Sequence, residues 1–134
     1  MIYQGRCTCG EWNIDLEFTQ PTKILSPRIC DCEYCKSNPS KIISAPDLAA
    51  KFFGGSCKIR KNGDQLANFY YCTGCSQLLA VGCYINGSLL GAINCGLFPD
   101  KVKFGAPVNV QPRFLSSEEK IDRWGKLWGK IVGL

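Results

Sequence analysis

Polar and apolar residues alternate along much of this chain in the way that half-buried β-strands require. The clearest case is Glu11–Phe18, where every second residue is apolar. A second strand is predicted over Lys23–Ile29, interrupted at Ser26-Pro27. Further short strands are predicted over Cys57–Lys61, Leu66–Tyr71, Gln77–Ile85, Leu89–Asn94 and Val108–Gln111, with hairpin turns at Asn62-Gly63 and Asn86-Gly87. The pattern therefore predicts a mostly β fold.

Two segments depart from this alternation. Pro46–Phe53 predicts a short helical turn, because proline suits a first turn and Gly54-Gly55 would stop it. Ser116 followed by Glu119 matches a capping box and predicts a helix that runs toward Val132.

The C-terminal helix is predicted to be amphipathic. Its apolar face would carry Ile121, Trp124, Leu127, Trp128 and Ile131, with basic residues on another face. We expect the apolar face to pack on the β body or to form a homodimer interface. A helix lying on a membrane surface is the alternative, which the glycines within the segment disfavour.

The length of 134 residues suits one domain spanning residues 1–134. No stretch reaches membrane-spanning length, and the first residues lack an apolar signal core. We therefore expect a cytoplasmic protein. In that reducing compartment clustered cysteines favour metal binding, whereas a secreted disulfide scaffold is the alternative.

Seven of the ten cysteines fall into three tight groups, and the chain contains no histidine. Short C-x-C and C-x-x-C spacings let two thiolates reach one metal ion. The absence of histidine excludes zinc sites with imidazole ligands and a histidine general base. The groups are Cys7-Thr-Cys9, Cys30-Asp-Cys32-Glu-Tyr-Cys35 and Cys72-Thr-Gly-Cys75.

The first and last groups together supply four thiolates, the number that a closed structural zinc site needs. Gly10 follows the first pair and Gly74 lies inside the last, where tight turns around a metal favour glycine. Such a site would join the N-terminal strand to a central hairpin; thiols that merely pack are the alternative. Its ligands would be Cys7, Cys9, Cys72 and Cys75.

The middle group, Cys30, Cys32 and Cys35, supplies three thiolates. Three protein ligands and an open position are typical of a catalytic zinc, which would deprotonate a bound external thiol. Two alternatives stay open: a fourth structural ligand from elsewhere in the chain, or metal-free, redox-active thiols. The cysteines available as that fourth ligand are Cys57, Cys83 and Cys95, which we otherwise expect to be buried and inert.

The formal net charge of +5 overstates how basic the protein would be with metal bound. Seven thiolates holding two Zn²⁺ ions would reduce it to about +2. The basic run Lys58–Lys61 alternates like a strand with a solvated face. We therefore expect no nucleic-acid partner.

The three cysteine groups, in this order, resemble the glutathione-dependent formaldehyde-activating enzyme family, which includes the relatives of centromere protein V. The family pattern is G-x-C-x-C-G, then C-x-C-x-x-C followed by a basic residue, then C-x-x-C. The resemblance covers nearly the whole chain. The matching stretches are Gly5-Arg-Cys7-Thr-Cys9-Gly10, Cys30-Asp-Cys32-Glu-Tyr-Cys35-Lys36 and Cys72-Thr-Gly-Cys75.

The resemblance implies a mostly β fold of coiled antiparallel sheets around zinc, called a β-tent, here followed by the C-terminal amphipathic helix. It implies a structural zinc at the outer two groups and a catalytic zinc at the middle group. The implied activity is that of a carbon–sulfur lyase, in which glutathione and formaldehyde combine to S-hydroxymethylglutathione.

Three departures from the family pattern leave the metal ligands intact but change their surroundings. Asp31 stands where many relatives carry histidine, and Ser76 stands where glycine commonly follows the last pair. After the middle group the chain reads Lys36-Ser-Asn-Pro39-Ser40, instead of a second basic residue and then a glycine. The resemblance therefore carries over the metal ligands better than the substrate pocket.

Our first hypothesis is a zinc-dependent lyase that takes a small-molecule thiol and a small aldehyde. Lys36, with Arg28 as the second candidate, would bind the carboxylates of glutathione; ordinary solvated charges are the alternative. The alternative is a non-catalytic, zinc-stabilised binding module that uses the helix around Trp124 and Trp128. A thiol-redox enzyme acting through Cys95 is a third hypothesis, which the apolar setting of that residue disfavours.

Overall fold

The computed structural model describes residues 1–30, 40–61, 65–111 and 114–134, and within them the chain is mostly β, as the sequence predicts. No helix of these residues is long and apolar enough to cross a membrane. The strands are β1 (Ile2–Arg6), β2 (Trp12–Glu17), β3 (Arg28–Cys30), β4 (Ile42–Ile43), β5 (Ala49–Gly54), β6 (Cys57–Arg60), β7 (Asn68–Cys72), β8 (Leu78–Ile85), β9 (Ser88–Asn94), β10 (Val108–Val110) and β11 (Gly129–Val132), with one helix, α1 (Ser117–Leu127).

Strand β9 is the branch point of the sheet. One edge of β9 pairs with β8 along its length. The other edge pairs first with β11, at Leu90 and Gly91, and then with β4, at Ile93 and Asn94. The sheet therefore divides at β9 into one part that contains β1, β2, β5 and β11 and another that contains β4, β3 and β10.

Most strand pairs are antiparallel, as expected, but two are parallel. Strand β11 runs parallel to β5, and β10 runs parallel to β3. Strands β10 and β11 come from the last quarter of the chain and pair with strands from its first half. The sheet is therefore mixed, with antiparallel pairs in the majority.

The core follows the alternation read from the sequence. On β2 the side chains of Trp12, Ile14 and Leu16 are buried, while those of Asn13 and Asp15 point away from the core. These apolar residues pack with Leu48, Ala50, Phe52 and Ile131 of the neighbouring strands. The Glu11–Phe18 strand prediction is thus confirmed, because one face of β2 meets the core.

The segment Pro46–Phe53 is not helical, contrary to the prediction. Only Pro46 and Asp47 form a turn, and the rest enters β5. Strand β5 pairs with β2 from Ala49 to Gly54 and buries every second side chain. The two sheet partners outweigh the weak local preference for a helical turn.

The predicted C-terminal helix begins as expected but ends early. The hydroxyl of Ser116 accepts a bond from the Glu119 amide at 3.2 Å, and the Glu119 carboxylate accepts one from the Ser116 amide at 3.0 Å. This confirms the capping box. The helix stops at Leu127, and Gly129–Val132 form β11 between β5 and β9. A side chain at Gly129 would lie 2.2 Å from the Leu48 carbonyl oxygen, so this close approach requires glycine.

The helix packs on the β body, as expected. Trp124 and Trp128 stack with ring centroids 4.5 Å apart. Trp128 is 7% exposed and belongs to a second apolar cluster with Leu78, Val81 and Ala92, against which Trp124 and Leu127 also pack. Much of the predicted contact face is therefore covered by the chain itself.

The remaining strand and turn predictions are confirmed in some segments and wrong in others. The predicted Lys23–Ile29 strand is a 3-10 turn over Thr22–Ile24 followed by the short β3. The turn between β8 and β9 lies at Asn86-Gly87, where both residues have positive φ. The predicted turn at Asn62-Gly63 lies outside the described residues. The strands predicted over the five later segments correspond to β6, β7, β8, β9 and β10, whereas β1, β4, β5 and β11 were not predicted as strands.

Candidate metal centre

Two tight turns present the outer cysteine pairs. Cys7 and Cys9 lie in the turn between β1 and β2, which is closed by a bond from the Cys7 amide to the Trp12 carbonyl at 3.1 Å. Gly10 has a φ of 77° in this turn. Because a positive φ favours glycine, Gly10 suits the tight turn that the sequence predicts after the first cysteine pair.

The second pair lies in the turn between β7 and β8. Cys72 is the last residue of β7, and its amide donates to the Gln77 carbonyl at 3.0 Å. Ser76, which stands where family members commonly have glycine, has a φ of 62°. Its amide donates to the Cys72 carbonyl at 2.8 Å, so the turn closes without glycine.

The four thiols converge, as the sequence predicts. The sulfur of Cys7 lies 3.6 Å from that of Cys9 and 3.8 Å from that of Cys72, and the Cys9 and Cys72 sulfurs are 3.6 Å apart. All four sulfurs, including that of Cys75, lie within 4.8 Å of one another. We call this set the four-cysteine centre.

These distances fit a tetrahedral zinc. Four Zn–S bonds of about 2.3 Å place the sulfurs about 3.8 Å apart, whereas a disulfide would bring two of them to about 2.05 Å. An all-thiolate set is also the donor set that zinc accepts in closed structural sites. The four-cysteine centre can therefore hold a zinc ion.

Backbone amides surround the sulfurs. The Trp12 amide donates to the Cys7 sulfur at 3.3 Å. Amides of Glu11, Gly74 and Gln77 donate to the sulfurs of Cys9, Cys72 and Cys75, respectively. Such donors offset the negative charge that four thiolates would accumulate.

The thiols differ in acidity within the centre. Burial raises the pKa of the Cys72 thiol to about 12. Burial also raises the pKa of Cys75. Hydrogen bonds from the backbone amides of Gln77 and Cys9 and from neighbouring thiols have a larger, opposite effect, and the resulting pKa is about 6. The centre thus holds one thiol that ionises readily and one that strongly resists ionisation before metal binds.

Two residues near the centre were missed by sequence reasoning. The carboxylate of Glu11 accepts a bond from the Cys72 thiol at 3.4 Å. The side-chain oxygen of Gln77 accepts bonds from the amide and hydroxyl of Thr8, at 2.8 and 2.9 Å. Glu11 lies near the cysteines in sequence, but no spacing rule marks it, and Gln77 contacts Thr8 only because two distant turns meet.

Of the middle cysteine group, the structure describes Cys30. Cys30, at the end of β3, is half-buried and does not belong to the four-cysteine centre. Cys32, Cys35 and Lys36 lie outside the described residues. Zinc binding by the middle group therefore stays a prediction.

Arg28 lies close to Cys30, in what we call the β3 end (Arg28–Cys30). Residues two apart on a strand point to the same face, so Arg28 and Cys30 share one. The Arg28 guanidinium donates to the Ser44 carbonyl at 3.2 Å and also to the Ser44 hydroxyl. Burial lowers the pKa of Arg28, and the positive charge of Arg123 on α1 lowers it further. Neither arginine has an ion pair within the described ranges.

The three single cysteines stay outside the four-cysteine centre. Cys57 lies opposite Cys72 in the register of β6 and β7, and burial raises its pKa. Burial also raises the pKa of Cys83, and that of Cys95 to about 12. Thiols held protonated are poor nucleophiles, which argues against the redox hypothesis that relies on Cys95.

Comparison with known proteins bears on the fold alone. No protein-family model and no curated protein matches this chain. A crystal structure of a Rhodobacter sphaeroides protein is similar, with a TM-score of 0.57 and 21% sequence identity. The match covers 72% of this chain and 88% of that protein. The chain therefore shares its fold with that protein.

Proposed function

We propose that this protein is a zinc-dependent carbon–sulfur lyase of the glutathione-dependent formaldehyde-activating type. The observation that carries the proposal is the division of its clustered cysteines. Cys7, Cys9, Cys72 and Cys75 complete a four-sulfur set by themselves. The middle group is therefore not needed to close that site, and a separate role can be proposed for it.

The proposed reaction joins a thiol to an aldehyde. A bond forms between the thiol sulfur and the carbonyl carbon, the carbonyl π bond breaks, and the thiol proton ends on the new hydroxyl oxygen. When bound by Cys30, Cys32 and Cys35, zinc would supply a Lewis acid that keeps a thiol deprotonated at neutral pH.

The β3 end supplies a cationic surface for an acidic thiol. Arg28 is held by Ser44, and Arg123 adds a second positive charge nearby. An anion bound between them would relieve the repulsion and form charge-assisted hydrogen bonds. The carboxylates of glutathione fit this requirement, with Lys36 as a further candidate cation.

The test is a comparison of Cys32→Ser with Cys83→Ser. We expect Cys32→Ser to abolish formation of S-hydroxymethylglutathione and to remove one of two zinc ions per chain. Cys83→Ser changes a thiol outside the cysteine groups and should retain both. Unchanged turnover in a folded Cys32→Ser protein would refute the lyase proposal.

Arg28 allows a second test of the proposed function. Arg28→Gln should raise KM for glutathione at least about tenfold with a smaller change in kcat, because it removes a binding charge. Arg28→Lys should restore part of the loss. An unchanged KM in Arg28→Gln would remove the β3 end from the substrate site.

A non-catalytic zinc-stabilised module is the second candidate. The four-cysteine centre favours it, because closed sites of this kind stabilise folds without turnover. The predicted contact surface is less favourable, since Trp128 is buried and Trp124 is stacked against it. In cobalt-substituted protein, a visible spectrum unchanged by glutathione would support this candidate over the lyase.

A further inference from the structure

A fifth thiol lies beside the four-cysteine centre. Cys57 of β6 is the direct partner of Cys72 in the register of β6 and β7. Side chains of directly opposed residues lie on the same face of a sheet, so the Cys57 thiol shares the face from which Cys72 reaches the centre. Cys57 is half-buried and packs against the apolar cluster to which Cys72 belongs. The two cysteines are therefore side-by-side neighbours on one face.

The hydrogen bonding of the two strands brings this pair close together. The Thr73 amide donates to the Ser56 carbonyl at 3.1 Å, so Ser56 and Thr73 form a hydrogen-bonded pair. Because hydrogen-bonded and non-hydrogen-bonded pairs alternate along an antiparallel ladder, Cys57 and Cys72 are a non-hydrogen-bonded pair. Such pairs have Cα atoms about 4.5 Å apart, within the range of about 4.4 to 6.8 Å that a disulfide requires. The backbone therefore permits a disulfide between Cys57 and Cys72.

Cys57 differs from the four thiols of the centre in how it is held. Each of those thiols accepts a hydrogen bond from a backbone amide. Within the described residues, no hydrogen bond holds the Cys57 sulfur. A disulfide between two thiols of the centre would disturb the amide bonds of both, whereas a disulfide between Cys57 and Cys72 would disturb those of Cys72 alone. Cys57 is therefore the favoured disulfide partner of Cys72.

We propose that Cys57 and Cys72 form a reversible disulfide, and that this disulfide competes with zinc for Cys72. The oxidant is a small disulfide. One cysteine thiolate displaces a first thiol from it, and the other cysteine thiolate then displaces the second. Overall, one sulfur–sulfur bond breaks and one forms, two electrons pass from the cysteine sulfurs to the small disulfide, and the two thiol protons leave on the two released thiols. The inference does not rest on the proposed lyase activity, because it involves no residue of the β3 end.

Zinc should protect this pair from oxidation. Because zinc bound at the four-cysteine centre would hold Cys72, it favours the reduced protein by mass action. Free zinc at about one hundred times its dissociation constant should raise the concentration of small disulfide needed for half oxidation about a hundredfold, at a fixed concentration of thiol. Conversely, oxidation of Cys72 leaves the centre with three thiols and should release its zinc.

The test is a titration of the zinc-loaded protein with hydroxyethyl disulfide in a fixed concentration of mercaptoethanol. Burial raises the pKa of Cys57, so a buffer of about pH 8.5 speeds the exchange. A coloured chelator measures zinc release, and mass spectrometry of the alkylated, proteolysed protein identifies the disulfide. We expect zinc release to follow the appearance of linked peptides that contain Cys57 and Cys72, and added free zinc to delay both.

Cys57→Ser supplies the decisive comparison, with Cys83→Ser as the matched control. Cys57→Ser should need at least about tenfold more small disulfide for the same zinc release, since Cys72 loses its favoured partner. Cys83→Ser removes another half-buried thiol and should behave as the wild type does. Circular dichroism reports whether each reduced variant is folded, and Cys57→Ala replaces Cys57→Ser if the latter is not.

Three results would each overturn the proposal. The first is wild-type zinc release in the folded Cys57 variant. The second is a disulfide that joins Cys72 to another cysteine of the centre, and the third is the absence of any disulfide at Cys72.

Discussion

The four-cysteine centre and the β3 end use the same residue type in opposite surroundings. In the first, the residues Cys7 and Cys72 are each 1% exposed, backbone amides point at the thiols, and four sulfurs face each other. In the second, a half-buried cysteine shares a strand face with a half-buried arginine. The difference teaches what the surroundings of a cysteine favour. Backbone amides and four converging thiols, as in the four-cysteine centre, favour a metal that stabilises the fold. A cation on the same strand face, as at the β3 end, favours binding of an acidic molecule.

The largest effect is expected from breaking the four-cysteine centre. Cys72→Ser should lose the structural zinc and lower the free energy of unfolding by more than about 3 kcal/mol, because the metal joins two distant turns. Zinc analysis and thermal unfolding measure both effects. Cys83→Ser, on β8, is the control and should stay within about 1 kcal/mol of the wild type. A stable Cys72→Ser protein with full zinc content would contradict the structural role.

The same substitution at the β3 end should behave differently. Cys30→Ser should reduce zinc from two ions to one per chain, yet change the free energy of unfolding by less than about 1 kcal/mol. The reason is that Cys30 lies outside the four-cysteine centre. Loss of both ions together with unfolding would erase the distinction between the two regions.

Acid should affect the four-cysteine centre in a defined pH window. Because the pKa of Cys75 is lowered to about 6, this thiol is mostly deprotonated at pH 7 in the folded protein, and zinc has little proton to displace from it. Below pH 6 zinc must displace the proton of this thiol as well. Each further pH unit of acidification should therefore lower the zinc affinity by an additional factor of about ten.

A competition titration against a coloured chelator between pH 5 and 8 measures this slope. A slope that stays constant through pH 6 would show that Cys75 is not ionised before zinc binds. The sign follows from the lowered pKa, since its contribution is present above the window and is lost as the pH falls through it.

The smallest effect is expected from Glu11, beside the four-cysteine centre. Its carboxylate lies 3.4 Å from the Cys72 sulfur, and a zinc bound by four thiolates carries a net negative charge. Glu11→Gln should therefore strengthen zinc binding by about two- to fivefold, with exposure to solvent limiting the effect. Glu17→Gln, on the exposed face of β2, is the control. Weaker zinc binding in Glu11→Gln would instead indicate that the carboxylate assists the metal.

The local pattern was sufficient wherever the structure depends on short spacing. The alternation in Glu11–Phe18 predicted β2, the S-x-x-E pattern predicted the start of α1, and the paired cysteines predicted which four sulfurs converge. The strand, the helix start and each cysteine pair are set by neighbours within a few residues, whereas the meeting of the two pairs depends on the fold. These sequence patterns agree with the final structure because burial and hydrogen bonding favour the same arrangement.

The pattern failed where a distant strand decided the outcome. Apolar residues at helical spacing continue past Leu127, but Trp128–Val132 leave the helix because Gly129 can approach Leu48 and β11 can fill the gap between β5 and β9. Pro46–Phe53 failed in the same way, since pairing with β2 makes it a strand. Local propensity is worth less than burial and a full set of sheet hydrogen bonds.

By itself, the sequence determined the mostly β class, the four thiols of one metal centre and the absence of imidazole chemistry. Only the tertiary structure decided that Glu11 and Gln77 lie against that centre, that β9 divides the sheet, and that Arg123 on α1 lies within electrostatic range of Arg28. The physical reason is the range of the interactions. Spacing encodes what a single turn or strand can do, whereas contacts between residues far apart in the chain depend on how all the strands pair.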